Sequence, residues 1–148
     1  MKMDKYSHGQ FEVSGITTTI NNRSDEQKTI GDLWEKFAYN NINKLVIGKE
    51  YLHTHVVYYN YFNDTYDIMI GFVTKDGIVQ NNETIKTIQI PSQNYNYIKI
   101  DFTTKDDVIN AWDNIRTQPH SIVSRTFEFD LEMYSEDFKT VTIAVSVD

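Results

Sequence analysis

The chain has 148 residues, with 14 Lys and Arg against 21 Asp and Glu, a formal net charge of −7, 40 % hydrophobic and 24 % charged side chains, and no cysteine. These figures describe one soluble globular domain and exclude disulfides, thiolate metal sites, iron–sulfur clusters and cysteine nucleophiles, so a reducing, cytoplasmic setting is expected. An acidic chain without a basic stripe is also a poor nucleic-acid binder, because that affinity depends on Lys and Arg displacing phosphate counterions; if charge selects a partner here, it selects a cation.

Residues 1–9 read as a tail, and no run in the chain reaches the ~18–20 apolar residues that span a bilayer. The stretch FEVSGITTTI predicts a strand over 10–20. Ser24 followed by Gln27 offers a capping box, and Ile30, Leu33, Trp34, Phe37 and Ala38 recur at helical spacing, which predicts an amphipathic helix over about 26–42. Strands at 56–62 and 66–73 flank Asn63-Asp64-Thr65 and form a hairpin. Asp76-Gly77 is a turn, residues 80–83 a polar loop, and Ile85, Ile88 and Ile90 a short strand stopped by Pro91. In the next strand, 94–102, Ile98, Ile100 and Phe102 share one face, and Tyr95, Tyr97, Lys99 and Asp101 the other. Thr104 caps a second helix that carries Asp106 and Asp107 in its first turn and Val108, Ala111, Trp112 and Ile115 on its apolar stripe. Strands at 125–134 and 138–147 close the chain. The second half thus repeats the order of the first, giving two βαββ units at about 10–74 and 84–148, an α+β domain with both helices on one side of an antiparallel sheet and a groove between the units.

Twenty aromatics (8 Phe, 10 Tyr, 2 Trp) are more than a core of this size requires. Codon bias explains part of that excess; walls of a cavity would explain the rest. In 125–134, Phe127, Phe129, Leu131 and Met133 alternate with Thr126, Glu128, Asp130, Glu132 and Tyr134, so three carboxylates share one strand face. Facing water they are an ordinary polar surface. Facing an aromatic groove, the innermost is a desolvated counter-ion for a lipophilic cation. In the last strand the same side is expected to carry the small residues Thr142, Ala144 and Ser146, which would leave room. Trp34 and Trp112 hold matching places on the two helices, and alternation sends Tyr58 to one face and Tyr59 with Tyr61 to the other. His53 and His55 form an H-x-H without a third ligand, so no metal site is expected. With no G-x-S-x-G elbow, P-loop or G-x-G-x-x-G, no catalytic residue and no cofactor is assigned.

Four segments, FEVSGITTTI, IGDLWEKF, VYYNYFNDTYDIMIGF and RTFEFDLEMY, together resemble the GyrI-like effector-binding domain, which occurs fused to AraC- and MerR-type transcription regulators and also free-standing. The resemblance implies two βαββ repeats about a pseudo-twofold axis and a central groove that binds hydrophobic, often cationic, small molecules. It places the groove's acidic residue, in the D-x-E-x-Y strand, at Glu132, with Tyr134 on the same face and Trp34 and Trp112 as walls; Phe37, Tyr58 and Tyr97 are further candidates. Ten residues before the first strand cannot house a helix-turn-helix, so a free-standing multidrug-binding member without direct DNA contact or membrane attachment is expected. Two other activities are implied by the family: hydrolysis of an electrophilic xenobiotic with Glu132 as general base, and inhibition of DNA gyrase, or association with a separate regulator, through protein contact.

Overall fold

In the computed structural model, which describes residues 2–148, the chain order is β1 (Asp4–His8), β2 (Phe11–Ile20), α1 (Glu26–Tyr39), a one-turn α2 (Ile42–Leu45), β3 (Thr54–Phe62), β4 (Thr65–Thr74), β5 (Lys86–Ile90), β6 (Gln93–Asp101), α3 (Lys105–Arg116), β7 (Asp130–Tyr134) and β8 (Thr140–Val147). All eight strands join one antiparallel sheet in the order β1-β6-β8-β7-β3-β4-β2-β5. The units β2-α1-β3-β4 and β6-α3-β7-β8 are the two expected βαββ repeats. They meet where β3 pairs with β7, and the middle rung of that ladder is Val56 opposite Glu132.

The first strand was not expected: Asp4–His8 lies in the stretch that reads as a tail, because its sequence DKYSH has no apolar face to mark it. It pairs with β6 of the second unit, while β5, which leads into the second unit, pairs with β2 of the first. Only residues 9–10 separate β1 from β2, and only 91–92 separate β5 from β6, although the members of each pair lie near opposite ends of the sheet. Linkers that short force the sheet to bend until its ends face each other. At the meeting point the His8 and Phe11 rings are 4.8 Å apart, and Gln10 Nε2 donates to Gln89 Oε1 at 3.0 Å. Inside the bend lies one apolar cluster, with Val13, Val57, Met69, Tyr95, Leu131 and Ala144 at its centre. On the outer face a second cluster, including Val56, Ile68, Ile70, Val141, Ile143 and Val145, packs beneath α1 and α3.

Glycine permits the tightest approach in this curved sheet. Gly15 and Gly71 are partners on the β2–β4 ladder, and a Cβ on either would fall 2.0 Å from Ile70 O or 2.1 Å from Ser14 O, inside contact with backbone that cannot swing away. The rung marks a close strand approach that no side chain can share.

The helices begin by different devices. Thr104 caps α3 as expected, and Asp107 Oδ2 accepts from the Thr103 and Thr104 N–H groups at 2.8 and 3.1 Å. Ser24 does not cap α1: a 3-10 turn over Arg23–Asp25 intervenes, capped by Asn22, whose Oδ1 accepts from the Asp25 N–H at 3.3 Å, and α1 starts after Asp25 without a side-chain cap.

Three expectations about strand faces are corrected. Regular pairing starts only at Asp130, and Phe127 takes a left-handed φ of 55°, so alternation cannot be carried back through 125–129; Glu128 is exposed and Phe127 turns toward the helices' side. In the β7–β8 register Glu132 opposes Ile143 and Tyr134 opposes Val141, so the carboxylate shares its face with the β-branched Val141, Ile143 and Val145 and not with Thr142, Ala144 and Ser146. Directly opposed residues project to one side, and the phase between two strands is invisible in either strand alone. In β3 the register shifts between Tyr59 and Phe62, with Asn60 at φ 54°, which returns Tyr61 to the face of Tyr58.

Two outcomes follow from this packing. Gly71→Ala is expected to lower stability by about 3 kcal/mol or more, or to abolish folding, as read by urea denaturation; a loss below about 1 kcal/mol would show that the rung can open. His55 lies 7 % exposed, and burial pushes its imidazole down from 6.5 to about 4. Between those values the unfolded chain binds the proton and the folded chain does not, so stability rises with pH across the window and is lost on acidification, by about 3 kcal/mol at most. The urea midpoint at pH 4.5 against pH 7 should fall less in His55→Gln than in the parent.

Candidate functional site

Between α1, α3 and the outer face of the sheet runs a cleft of about 670 Å³. Its floor is Glu132, 2 % exposed, on β7. Glu132 Oε2 accepts from the Tyr58 hydroxyl at 2.5 Å and from Trp112 Nε1 at 2.7 Å, and Oε1 accepts from the Tyr134 hydroxyl at 2.7 Å. Three donors from three elements converge on one carboxylate because the fold is symmetric about its rung. Tyr58 lies two residues past Val56 on β3, and Tyr134 two residues past Glu132 on β7. Each tyrosine also meets a tryptophan edge-on, Tyr58 with Trp112 and Tyr134 with Trp34, both at 5.4 Å between centroids.

Electrostatically the floor is under tension. Desolvation raises the Glu132 pKa above its ordinary 4.5, while the hydrogen bonds from Tyr58, Tyr134 and Trp112 pull it back only in part. Burial and the neighbouring carboxylate push the Tyr58 hydroxyl well above 10 and raise that of Tyr134, so both remain donors. A cation over the cleft would stabilise the charged form of Glu132 and find π faces beside it.

A second carboxylate is already neutralised. Asp130, fully buried, accepts from Arg125 Nη2 at 2.7 Å, from the Tyr61 hydroxyl at 2.6 Å and, through Oδ1, from the Ser146 N–H at 2.8 Å. The Arg125 guanidinium lies 4.2 Å from the Phe127 centroid and 5.7 Å from that of Trp112. Of the three aligned carboxylates in the sequence, Glu128 therefore faces water, Asp130 is spent on an internal arginine, and Glu132 is buried without an ion-pair partner among the described residues.

Trp34, Trp112, Tyr58, Tyr134 and Glu132 all line the cleft. Phe37 and Tyr97 do not. Phe37 stands behind the wall, 5.8 Å from both Trp34 and Phe72, and Tyr97 is on the inner face of the sheet, 5.1 Å from Tyr6. Tyr61, Tyr66, Phe127, Phe138 and Arg125 also line it. Their signal was weak: Phe127 and Phe138 owe their placement to φ values of 55° and 57°, which residue type does not announce. Of Arg125, five residues before Asp130, the spacing was visible but the pairing was not. His55, from the H-x-H, is buried on the inner face, and among the described residues no group of three His, Cys, Asp or Glu is placed to hold a metal.

Two βαββ units joined at a central rung, with a carboxylate buried below an aromatic cleft, are the arrangement that the resemblance to GyrI-like effector-binding domains implied. The sequence profile of Cass2, the integron-associated effector binding protein, matches residues 8–147, and the chain belongs to that family. No curated protein matches it in sequence. Among solved structures, the integron cassette protein VCH_CASS2 from the mobile metagenome of Vibrio cholerae is 24 % identical, with a TM-score of 0.78 over 99 % of this chain and 95 % of that one. A putative transcription regulation protein from Staphylococcus aureus MU50 is 13 % identical, with a TM-score of 0.80 over 100 % and 99 %. The protein SAV2435 bound to tetraphenylphosphonium is 14 % identical, with a TM-score of 0.82 over 100 % and 94 %. At these identities the likeness is one of fold. None of the helices among the described residues is long and apolar enough to cross a membrane.

The Arg125–Asp130 pair yields a stability test. Arg125→Met strands a fully buried carboxylate and is expected to cost about 3–5 kcal/mol, whereas Arg125→Met with Asp130→Asn recovers much of it. Equal urea midpoints for the single and double variants would show that Asp130 does not need its partner.

Proposed function

We propose that the protein binds lipophilic, aromatic cations in the cleft and acts as a small-molecule receptor or sequestering protein, with Glu132 as counter-ion and Trp34, Trp112, Tyr58 and Tyr134 as stacking walls. The observation that carries this reading is a carboxylate 2 % exposed, held by three neutral donors and without an ion-pair partner among the described residues, at the floor of an aromatic cleft. Neutral donors position such a charge without neutralising it, and an incoming cation supplies what is missing. The tetraphenylphosphonium carried by the structurally similar SAV2435 is a ligand of this chemical type and supports the reading by analogy of fold.

Binding accounts for the geometry better than hydrolysis. The hydrogen bonds from Tyr58, Trp112 and Tyr134 offset part of the basicity that burial confers on Glu132 and hold both of its oxygens against neutral aromatic donors, which suits a fixed counter-ion better than a general base. Desolvated cation–π contacts contribute on the order of 2 kcal/mol each, and the ion pair adds less than its Coulomb energy because the incoming cation must shed its own water. Micromolar affinity with broad specificity is the consequence.

Titration of a fluorescent monocationic dye is the test. Glu132→Gln is expected to weaken binding about 10-fold or more while preserving the fold, since removing one partner of a desolvated charge pair costs on the order of 2 kcal/mol. In the parent, affinity should fall on acidification through a midpoint above 4.5, because protonation removes the counter-ion and burial raises its pKa; in the variant that dependence should vanish. Undiminished binding by Glu132→Gln would remove Glu132 from the site.

A further inference from the structure

The cleft concentrates positive side chains in a protein of net charge −7: Arg23, Lys105, Arg116 and Arg125, four of the 14 basic residues, lie on its walls. Three of them gather at one end. Arg23 stands in the turn before α1 and Arg116 is the last residue of α3, and both act electrostatically on the Tyr66 hydroxyl. Arg116 and Arg125 flank Trp112, at 5.9 and 5.7 Å from its ring.

Their acidic partners do not cancel them as seen from the cleft. Arg116 pairs with Asp113 at 3.1 Å and Arg125 with Asp130 at 2.7 Å, yet neither aspartate is on the cleft wall, so each pair presents its guanidinium end. Among the described residues Arg23 makes no ion pair. The carboxylates that do line this end are Glu26, which accepts the Tyr66 hydroxyl, and Asp64 in the exposed β3–β4 turn. At the other end Trp34, Tyr134 and Phe138 form an aromatic cluster without an arginine; among the cleft-lining residues Lys105, the cation there, begins α3 about 16 Å along the helix from Arg116.

We propose that the cleft is directional and selects amphoteric aromatic ligands, with the ligand's cation near Glu132 and the edge-to-face Trp34–Tyr134 pair and an oxyanion, a carboxylate in the simplest case, held by Arg23 and Arg116. The inference rests on the cation-binding reading of the same cleft and adds a second recognition element to it. Guanidinium forks match carboxylate geometry and form charge-assisted hydrogen bonds, whereas a second positive charge at that end meets like charge. Arg125 takes no direct part, because its charge is committed to Asp130.

The experiment compares one rhodamine dye as its free carboxylic acid and as its methyl ester, which share ring system and cationic charge and differ only at the acid. Fluorescence anisotropy in low-salt buffer should give about 5- to 10-fold tighter binding of the acid. The advantage should shrink as salt is added, because the arginine end is open to solvent. In Arg23→Gln/Arg116→Gln the order should invert, with the acid binding more weakly and the ester more tightly than to the parent. Both changes are at exposed or half-exposed positions, and a thermal melt verifies that the variant folds. An ester that binds the parent as tightly as the acid, or a preference for the acid that survives in the double variant, overturns the directional cleft and leaves cation binding intact. Failure of both dyes to bind the parent overturns the cation-binding reading and the arginine end with it.

Discussion

A carboxylate removed from water needs either a proton, a cation or a full set of donors, and Glu132 has only the last, in incomplete measure. Its three hydrogen bonds come from β3, β7 and α3, so the charge holds both repeats and one helix to a common point. In doing so it fixes the rings around itself. Tyr58 and Tyr134 must direct their hydroxyls inward, and each ring so oriented presents an edge-to-face partner to a tryptophan. The rings of Tyr58, Tyr134 and Trp112 are oriented because their polar ends are tied to one anion. Burial still wins over the donors and leaves the pKa raised, and this residual imbalance is what a cation can relieve.

Symmetry sharpens the contrast. Under the pseudo-twofold relation Tyr58 corresponds to Tyr134 and Trp34 to Trp112, but Glu132 corresponds to Val56. The floor around the central rung is built in duplicate from aromatic and hydrogen-bonding parts, and only one repeat sets a carboxylate in it. Arg125 and Asp130 break the symmetry again, on the same repeat, with a pair that is neutral overall and fully committed. A site assembled from two copies has thereby become asymmetric along its length through a few side chains, without any change of backbone architecture.

Much of this was legible in the sequence, and the boundary of legibility has physical causes. The repeat order, the helices with Trp34 and Trp112, and the shared face of Glu132 and Tyr134 followed from periods of 3.6 and 2, which local sequence carries directly. What failed was whatever depended on phase between strands or on single unusual dihedrals. The β7–β8 register set Ile143 beside Glu132 where small residues were expected, and a bulge after Tyr59 moved Tyr61 to the cleft. Phe127 reached the cleft by a left-handed backbone that no aromatic residue prefers. Tyr97 was misplaced for a different reason: alternation gave its two faces correctly, but nothing local says which face of a strand meets helices and which lies inside a bend. The DKYSH strand was missed because its order comes from pairing with β6, not from an apolar pattern of its own.

That exchanged strand has a consequence for how the protein could be divided. Because β1 completes the edge of the second repeat and β5 the edge of the first, a cut in the loop at 75–85 would produce two fragments, each carrying a strand whose ladder partner belongs to the other. Neither fragment is a self-sufficient half, despite the duplicated plan. Mixed together, they are built to recombine through three ladders, the β3–β7 seam and those of the two exchanged strands, and the cleft would reassemble only when they do. The molecule is in this respect a dimer written on one chain, in which ligand binding reports that both halves are present.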